Sequence, residues 1–213
     1  MAFNNFNTIE DMNMVQMEVD KSRFIAVISP ARTPEEVKSI LSSLKTSNKD
    51  AKHVCYAYRL GEDYSIAKYN DDGEPGGSAG LPIFEAIKRA NLTDVVLAVV
   101  RYFGGKELGK SRLTRTYGAV ATAVIKNSKV FEMKYCNIYE MKVTYADYAS
   151  LGKILREKGY HVLEQHTNDT MPFIKVAIPQ DIAEKEIEQV RARARGANFI
   201  NKVDNGYYRF KRI

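Results

Sequence analysis

Residues 71–117 of the chain read DDGEPGGSAGLPIFEAIKRANLTDVVLAVVRYFGGKELGKSRLTRTY. Two glycine-rich stretches, which we call the first loop (residues 71–80) and the second loop (residues 103–109), flank a helical pattern and an apolar strand pattern. Glycine is used where φ is positive or where the backbone must approach another group closely. Its clustering on both sides of this helix–strand unit indicates a surface built from main chain, to which a ligand or partner docks.

Composition indicates an ordinary globular protein of one large domain or two small ones. The 213 residues are 45% hydrophobic and 27% charged, with a net charge of +6. Two cysteines far apart, with no Cys/His cluster at zinc-ligand spacing, predict neither a disulfide framework nor a metal site. No apolar run approaches the roughly 18 residues of a membrane span, and the N-terminus lacks signal-peptide features. We expect a cytoplasmic protein with no cofactor and no membrane association.

Strand and helix patterns predict two α+β domains, residues 1–130 and 131–213, with a linker near residues 128–135. In the first domain we predict strands at 14–19, 23–29, 53–60, 64–69 and 94–102, and helices at 34–44, 81–90 and 113–126. In the second we predict strands at 135–145, 161–166, 173–178, 197–203 and 207–211, and helices at 148–158 and 180–195. This βαββαβ order, closed by a hairpin at Asp204-Asn205-Gly206, predicts a ferredoxin-like α/β sandwich.

The basic segment, residues 101–115, carries five cations and one acid. Cations beside glycine and aromatic residues are typical of surfaces that bind nucleic acid. The cations contact phosphate, and the aromatic rings, here Tyr102 and Phe103, stack on bases. The candidate nucleic-acid contacts are Arg101, Tyr102, Lys106, Lys110, Arg112 and Arg115. Residues 104–111 also match the Walker A pattern GxxxxGKS. Because a large parallel sheet and a later strand ending in an acid are both missing from the pattern, an anion-binding loop without hydrolysis is favoured.

A second set of candidates lies in the two loops and at the start of one predicted strand. It comprises His53, Asp71, Asp72, Glu74, Gly76, Gly77, Ser78, Gly104, Gly105 and Gly109. The three acids suit a Mg²⁺ site or acid–base chemistry, but their spacing is already explained by turn chemistry, which we favour. His53 suits a catalytic base or a hydrogen-bonded structural histidine, and taken alone it favours the structural interpretation.

Three ordered motifs resemble the YigZ/IMPACT family. They are DDGEPGGSAGLP at 71–82, VVRYFGGKELG at 99–109 and LTRTYG at 113–118, and KHVCYAY at 52–58 resembles the family's preceding strand. The resemblance covers about residues 15–130, and the second domain matches the bacterial two-domain arrangement. It implies an N-terminal domain of the ribosomal-protein type shared with domain IV of elongation factor G, and a C-terminal domain similar to domain V. It also implies a link to translational control through protein partners.

We therefore expect a non-enzymatic protein associated with RNA or the ribosome that contacts phosphate through its basic, glycine-rich loops. The turn after strand 53–60, the first loop and the basic segment are expected to form one face. A protein partner from the translation machinery fits the resemblance as well. Two alternatives stay open: an enzyme acting on a phosphorylated small molecule or nucleotide, with a metal held by Asp71, Asp72 and Glu74, and a pure protein-interaction module that binds an acidic partner.

Overall fold

The computed structural model describes residues 5–167, 171–193 and 199–211. The chain forms two compact units: unit 1 runs up to Glu132, and unit 2 comprises Met133–Lys211. The predicted division falls after residue 130. Across the described ranges the fold is α+β, with two five-stranded sheets and five helices. None of the helices in these ranges combines the length and the apolar character needed to cross a membrane.

Unit 1 is built on a sheet whose central strand is apolar and buried. A short strand, β1 (Phe6–Ile9), precedes this sheet but is not part of it. The strands of the sheet are β2 (Asn13–Val19), β3 (Ser22–Pro30), β4 (His53–Leu60), β5 (Ile66–Asn70) and β6 (Val95–Tyr102). They are ordered β2-β3-β6-β4-β5, and every neighbouring pair is antiparallel. β6 is buried from Val95 to Arg101, because it has a strand on each side and helices above and below.

Three helices cover the two faces of this sheet: α1 (Pro34–Ser47), α2 (Gly80–Arg89) and α3 (Lys110–Lys126). α2 and α3 pack on one face, where Phe24, Leu97 and Tyr117 belong to one large buried cluster. α1 packs on the other face through Val37 and Leu41. β6 is therefore the layer that both helical faces share, and its C-terminal end leads directly to the second loop.

The starts of α1 and α3 show how local sequence sets helix boundaries. α1 begins as predicted, since Thr33 Oγ1 accepts a hydrogen bond from the Glu36 N–H at 3.2 Å and Pro34 lies in the first turn. α3 begins at Lys110, three residues before the predicted start at Leu113. Residues 110–115, the last six of the fifteen residues of the basic segment, are therefore helical.

Unit 2 follows the predicted βαββαβ order of elements. These are β7 (Val130–Lys142), α4 (Tyr145–Glu157), β8 (His161–His166), β9 (Phe173–Pro179), α5 (Gln180–Arg193) and β10 (Phe199–Lys211), with the first three residues of β7 assigned to unit 1. The sheet has the order β1-β7-β9-β8, and β10, its fifth strand, also pairs with β7. The core between sheet and helices includes Met141, Leu155, Ile174 and Ile187.

The predicted hairpin at Asp204-Asn205-Gly206 is wrong, because β10 runs through these residues without a turn. A two-residue hairpin turn of type I′ needs a positive φ at both central residues, and neither Asn205 nor Gly206 has one. The Tyr135 hydroxyl donates to Asn205 Oδ1 instead, from the neighbouring strand β7. The pairing of β10 with β7 therefore overrides the local turn signal.

Two further predictions differ from the structure, and part of a third cannot be compared with it. The strand β1 was not predicted, and most of the predicted linker at residues 128–135 lies in β7, which begins at Val130. The end of the predicted helix at 194–195 and the start of the predicted strand at 197–198 lie outside the described residues.

Two glycine substitutions test this fold at opposite extremes. At Gly104 an added Cβ would lie 2.2 Å from the Lys21 carbonyl carbon, whereas at Gly206 the nearest atom, on the Tyr208 ring, is 3.7 Å away. We expect Gly104→Ala to lower the free energy of unfolding by about 2 kcal/mol or more. Gly206→Ala should change it by less than about 1 kcal/mol, because no turn requires glycine there. Urea unfolding measures both changes in the free energy of unfolding. A large loss of stability in Gly206→Ala would contradict the continuous strand and support the predicted hairpin turn.

Candidate functional site

The start of β4 and the end of β6 lie side by side at one end of the strands of the unit 1 sheet. This brings the two loops together. His53, which begins β4, is the register partner of Arg101 near the end of β6. The first loop follows β5, the neighbour of β4, and the second loop follows β6. Between the loops lies a cleft of about 250 Å³, whose lining includes Lys52, His53, Glu74, Arg101, Phe103 and Lys110.

One predicted member of this face lies elsewhere. The turn after β4 begins at Gly61, whose N–H donates to Asp94 Oδ1 at 2.9 Å and whose carbonyl accepts from Thr93 Oγ1 at 2.8 Å. Asp94 directly precedes β6, whereas Arg101 lies near the other end of that strand. A strand of eight residues spans roughly 26 Å. The turn therefore lies at the opposite end of the strands. The prediction that it lies beside the two loops is wrong.

Asp71 closes the first loop by accepting hydrogen bonds from three backbone N–H groups. Its Oδ1 accepts from Ala79 and Gly80, and its Oδ2 accepts from Gly77, each at 2.9 Å. Because Gly80 begins α2, the carboxylate also occupies the positive end of that helix. Burial disfavours the charged carboxyl, but these N–H donors and the charge of Lys110 outweigh it and hold the pKa of Asp71 below its ordinary value.

Asp72 connects the first loop to β4 and α1. Its Oδ2 accepts from the Val54 N–H at 2.8 Å, and its Oδ1 accepts from Lys45 Nζ at 2.9 Å. Its carbonyl oxygen lies 2.7 Å from His53 Nδ1. Since a carbonyl only accepts, Nδ1 carries a proton, and in the neutral ring Nε2 is an acceptor. Burial opposes ionisation of Asp72, but the ammonium of Lys45 and the Val54 N–H overcome it and lower its pKa.

Glu74 is the buried carboxylate of the site, with 8% of its surface exposed. Its Oε1 accepts from Arg101 Nη1 at 2.6 Å and from the Tyr117 hydroxyl at 2.8 Å, and it lies 3.9 Å from His53 Nε2. A buried carboxylate is tolerated only with such a counter-charge and hydrogen bonds. Glu74 thereby joins the first loop to β6 and α3.

Arg101 lies in the interior, although its place in the basic segment suggested a surface contact. It is 4% exposed, and its guanidinium carbon lies 5.4 Å from the ring centre of Phe24 and 5.7 Å from that of Phe103. Side chains alternate along β6, so Arg101 follows Val99 toward α2 and α3. Its Nε has no hydrogen-bond partner among the described residues. Arg101 is therefore not a surface contact, although it lines the cleft between the two loops.

The two aromatic residues of the basic segment differ in their availability. Tyr102 is half-buried: its hydroxyl lies 2.7 Å from Asn48 Oδ1, and the Arg23 guanidinium carbon lies 4.2 Å from its ring centre. Phe103 is 42% exposed, with Lys52 Nζ 4.8 Å from its ring centre. Phe103, not Tyr102, is the aromatic ring that a ligand in the cleft can contact.

The remaining cations of the basic segment, Lys106, Lys110, Arg112 and Arg115, are exposed. Arg112 forms an ion pair with Asp20. The other three make no ion pair with any residue in the described ranges. These three charges are therefore free to meet an external anion.

The second loop leads into α3 without a capping side chain. Gly104 N–H donates to Ser22 Oγ at 3.1 Å, while Gly105 and Gly109 have φ of +84° and +73°. Gly109 is the residue before α3, and no described side chain caps this helix end, whose first turn contains no acid. The Walker A match does not mark a P-loop fold, because β6 is antiparallel to both of its neighbours.

Several predicted loop residues take no part in the cleft. Gly76 is exposed, Gly77 donates to Asp71, and Ser78 is fully buried. In the described ranges, no group of three or more His, Cys, Asp and Glu side chains is placed to hold a metal ion. The acids of the first loop bind protein donors instead, as turn chemistry requires.

Tyr117 and Cys55 are members of the buried network that sequence reasoning missed. Cys55 Sγ donates to the Asp71 carbonyl at 2.9 Å and lies 3.4 Å from the Tyr117 hydroxyl. Burial raises the pKa of Cys55 to about 12 and also raises that of Tyr117, so both stay protonated at neutral pH. The available signal was a tyrosine on the apolar face of α3, since a buried hydroxyl needs a partner.

Comparison with known proteins places both loops inside a known type of domain. A model of the Impact N-terminal domain matches residues 20–125. IMPACT family member YvyE of Bacillus subtilis is 37% identical over 169 residues, which cover 78% of this chain and 76% of YvyE. IMPACT family member YigZ of Escherichia coli is 26% identical over 166 residues, which cover 76% of this chain and 80% of YigZ.

The fold is also shared with a solved structure. A crystal structure of a hypothetical protein aligns with a TM-score of 0.60 and 22% identity, and the alignment covers 94% of this chain and 98% of that one. At this identity the similarity concerns the fold alone.

The buried pair predicts a large effect of removing one charge. Glu74→Gln should lower the free energy of unfolding by about 3–5 kcal/mol, because it leaves Arg101 as a buried charge without a counter-ion. The control is Glu85→Gln in α2, a half-buried residue whose partner Lys88, at 3.2 Å, is exposed. It should cost less than about 1 kcal/mol. Urea unfolding compares the two, and similar small losses would mean that the buried pair does not hold the site together.

The lowered pKa of Asp71 predicts a pH-dependent contribution to stability. Its folded-state pKa lies below the unfolded value of about 3.9, so its stabilisation is present above that value and is lost as pH falls through the folded pKa. Asp71→Asn should cost about 1–3 kcal/mol at pH 7, because an amide NH₂ replaces one acceptor. The difference from wild type should narrow as pH falls below about 4. A cost that is constant with pH would refute this account, and exposed Asp50→Asn serves as the control.

Proposed function

Because this chain belongs to the IMPACT family, we propose that it is a protein associated with RNA or the ribosome, acting in the regulation of translation. In this proposal the second loop and the first turn of α3 contact phosphate groups. The protein acts by binding rather than by catalysis, in the cytoplasm. A protein of the translation machinery is the second proposed partner.

The observation that carries the proposal is a set of unpaired cations beside an uncapped helix end. Lys106, Lys110 and Arg115 are exposed and have no ion-pair partner in the described ranges, and α3 begins at Lys110 without a side-chain cap. Backbone N–H groups at a helix start and nearby lysines and arginines are the usual phosphate contacts of nucleic-acid-binding proteins. Phe103, half-exposed at the same place, offers a ring on which a base can stack.

Binding is favoured over nucleotide hydrolysis by how the acids are used. Asp71 and Asp72 accept hydrogen bonds from the backbone and from Lys45, and Glu74 is paired with Arg101. Each carboxylate is therefore already engaged by donors within unit 1. The antiparallel position of β6 is also unlike the strand that precedes a P-loop.

The proposal predicts salt-dependent RNA binding that weakens when cations outside the cleft are removed. A variant with Lys106→Ala and Arg115→Ala should bind labelled single-stranded RNA more weakly. The slope of log K against log salt should fall by about 1.4, because each lost phosphate contact removes about 0.7. Fluorescence anisotropy over a salt series measures both quantities. Co-sedimentation with ribosomes, measured on the same variant, should weaken in parallel.

The matched control removes the same charge elsewhere in unit 1. Lys38 on α1 and Lys126 at the end of α3 are exposed, and Lys126 lies roughly 24 Å along the helix from Lys110. Lys38→Ala with Lys126→Ala should leave the slope unchanged. If both double variants lost RNA affinity and slope equally, the protein would bind RNA through its net charge alone. A protein without any RNA or ribosome binding would refute the proposal and favour the protein-interaction module.

A further inference from the structure

We propose that the cleft between the two loops is a binding site for a phosphate monoester, the terminal phosphate of a nucleotide or of an RNA chain. The inference deepens the proposed function and rests on it where the ligand is an RNA end. The exposed cations alone would not distinguish a terminal phosphate from any other phosphate. The inference assigns the terminal phosphate to a defined pocket.

The first reason is an unpartnered, buried donor on a residue that lines the cleft. Arg101 lines the cleft and its side chain is 5% exposed. Its Nη1 is taken by Glu74, whereas its Nε has no hydrogen-bond partner among the described residues. Leaving a buried N–H of a charged group without an acceptor is costly, so such a group indicates a ligand or water oxygen in the cleft. An anionic oxygen is the acceptor that guanidinium binds most strongly.

The second reason is the contrast between the two helix ends at the site. The start of α2 is occupied by the Asp71 carboxylate, which accepts from Ala79 and Gly80. The start of α3 has no side-chain cap from any described residue, and Gly109 and Lys110, where this helix begins, line the cleft. One helix end thus holds an internal anion, and the other offers its N–H groups and positive end to an external one.

The third reason is the charge and size of the cleft. Its lining carries the cations Lys52, Arg101 and Lys110 against the acids Glu74 and Glu107, and Glu74 already accepts from Arg101. A phosphate monoester has a charge of about −1.5 to −2 and three acceptor oxygens at pH 7, more than the single charge of a diester linkage. The volume of about 250 Å³ is below the usual range for drug-sized ligands, about 300–1,000 Å³. A chain end fits this space better than a chain that continues on both sides.

The position of Phe103 orients the rest of such a ligand. Its ring is half-exposed and lines the cleft, with Lys52 Nζ 4.8 Å from the ring centre. With the phosphate held by Lys110, Arg101 Nε and the start of α3, the attached base lies against the exposed part of this ring. The ligand class is therefore a nucleoside monophosphate or the phosphorylated end of an RNA strand.

NMR of the ¹⁵N-labelled full chain tests the site, because the Nε–H signal of the buried Arg101 reports directly on a new acceptor. Inorganic phosphate and AMP should shift this signal saturably, whereas adenosine should not. In anisotropy measurements, a 5′-phosphorylated RNA should bind about tenfold more tightly than the same RNA with a 5′-hydroxyl. Lys110→Ala should remove this difference, whereas Lys106→Ala should weaken both RNAs by the same factor.

The outcomes separate this inference from the proposed function. An Nε–H signal that no phosphate compound moves, together with equal affinities for the two RNAs, overturns the cleft assignment while salt-dependent RNA binding stands. Saturable AMP binding without any RNA binding overturns the proposed function and assigns the cleft to free nucleotides. A tenfold preference that survives in Lys110→Ala but not in Lys106→Ala moves the phosphate out of the cleft and contradicts the inference.

Discussion

The buried ion pair between Glu74 and Arg101 is the interaction on which the candidate site depends. It connects the first loop to the central strand β6, and the Tyr117 hydroxyl on the same carboxylate oxygen adds α3. Because an unpaired charge is expensive in the interior, the pair forces these three elements into one arrangement. The second loop continues from β6 into α3, so its position follows from the same contact.

Both loops are rich in glycine, but their charged groups differ in role. The carboxylates of the first loop bind groups within the protein, whereas the cations at the second loop are exposed. The first loop is closed internally, since Asp71 accepts from three backbone N–H groups and Asp72 ties the loop to Val54 and Lys45. No carboxylate among the described residues accepts hydrogen bonds from the backbone of the second loop in this way, and Lys106 and Lys110 extend from the loop and from the start of α3. The net charge of the protein is mild, but Lys106, Lys110 and Arg115 place three exposed charges without ion pairs within ten residues around the start of α3.

Much of the fold, and less of the site, could be predicted from sequence. Each predicted strand bound from β2 to β6 lies within two residues of the structure, because apolar periodicity reports burial directly. The predicted hairpin at Asn205-Gly206 does not form, because the pairing of β10 overrides the local preference of these residues for a turn. Arg101 looked like a surface cation because sequence charge does not show which face of a strand a residue takes. Its partner Glu74 lies 27 positions away, a contact that only the folded chain reveals.

The central claim is that the second loop and the start of α3 form the anion-binding face of unit 1. Amide ¹H–¹⁵N spectra recorded during a titration with single-stranded RNA test it most directly. The account predicts saturable shifts centred on residues 103–112 and on Lys52, with little change at Gly77, Ala79 and Gly80, whose N–H groups are held by Asp71. Shifts centred on β5 or on unit 2, with residues 103–112 unchanged, would contradict it.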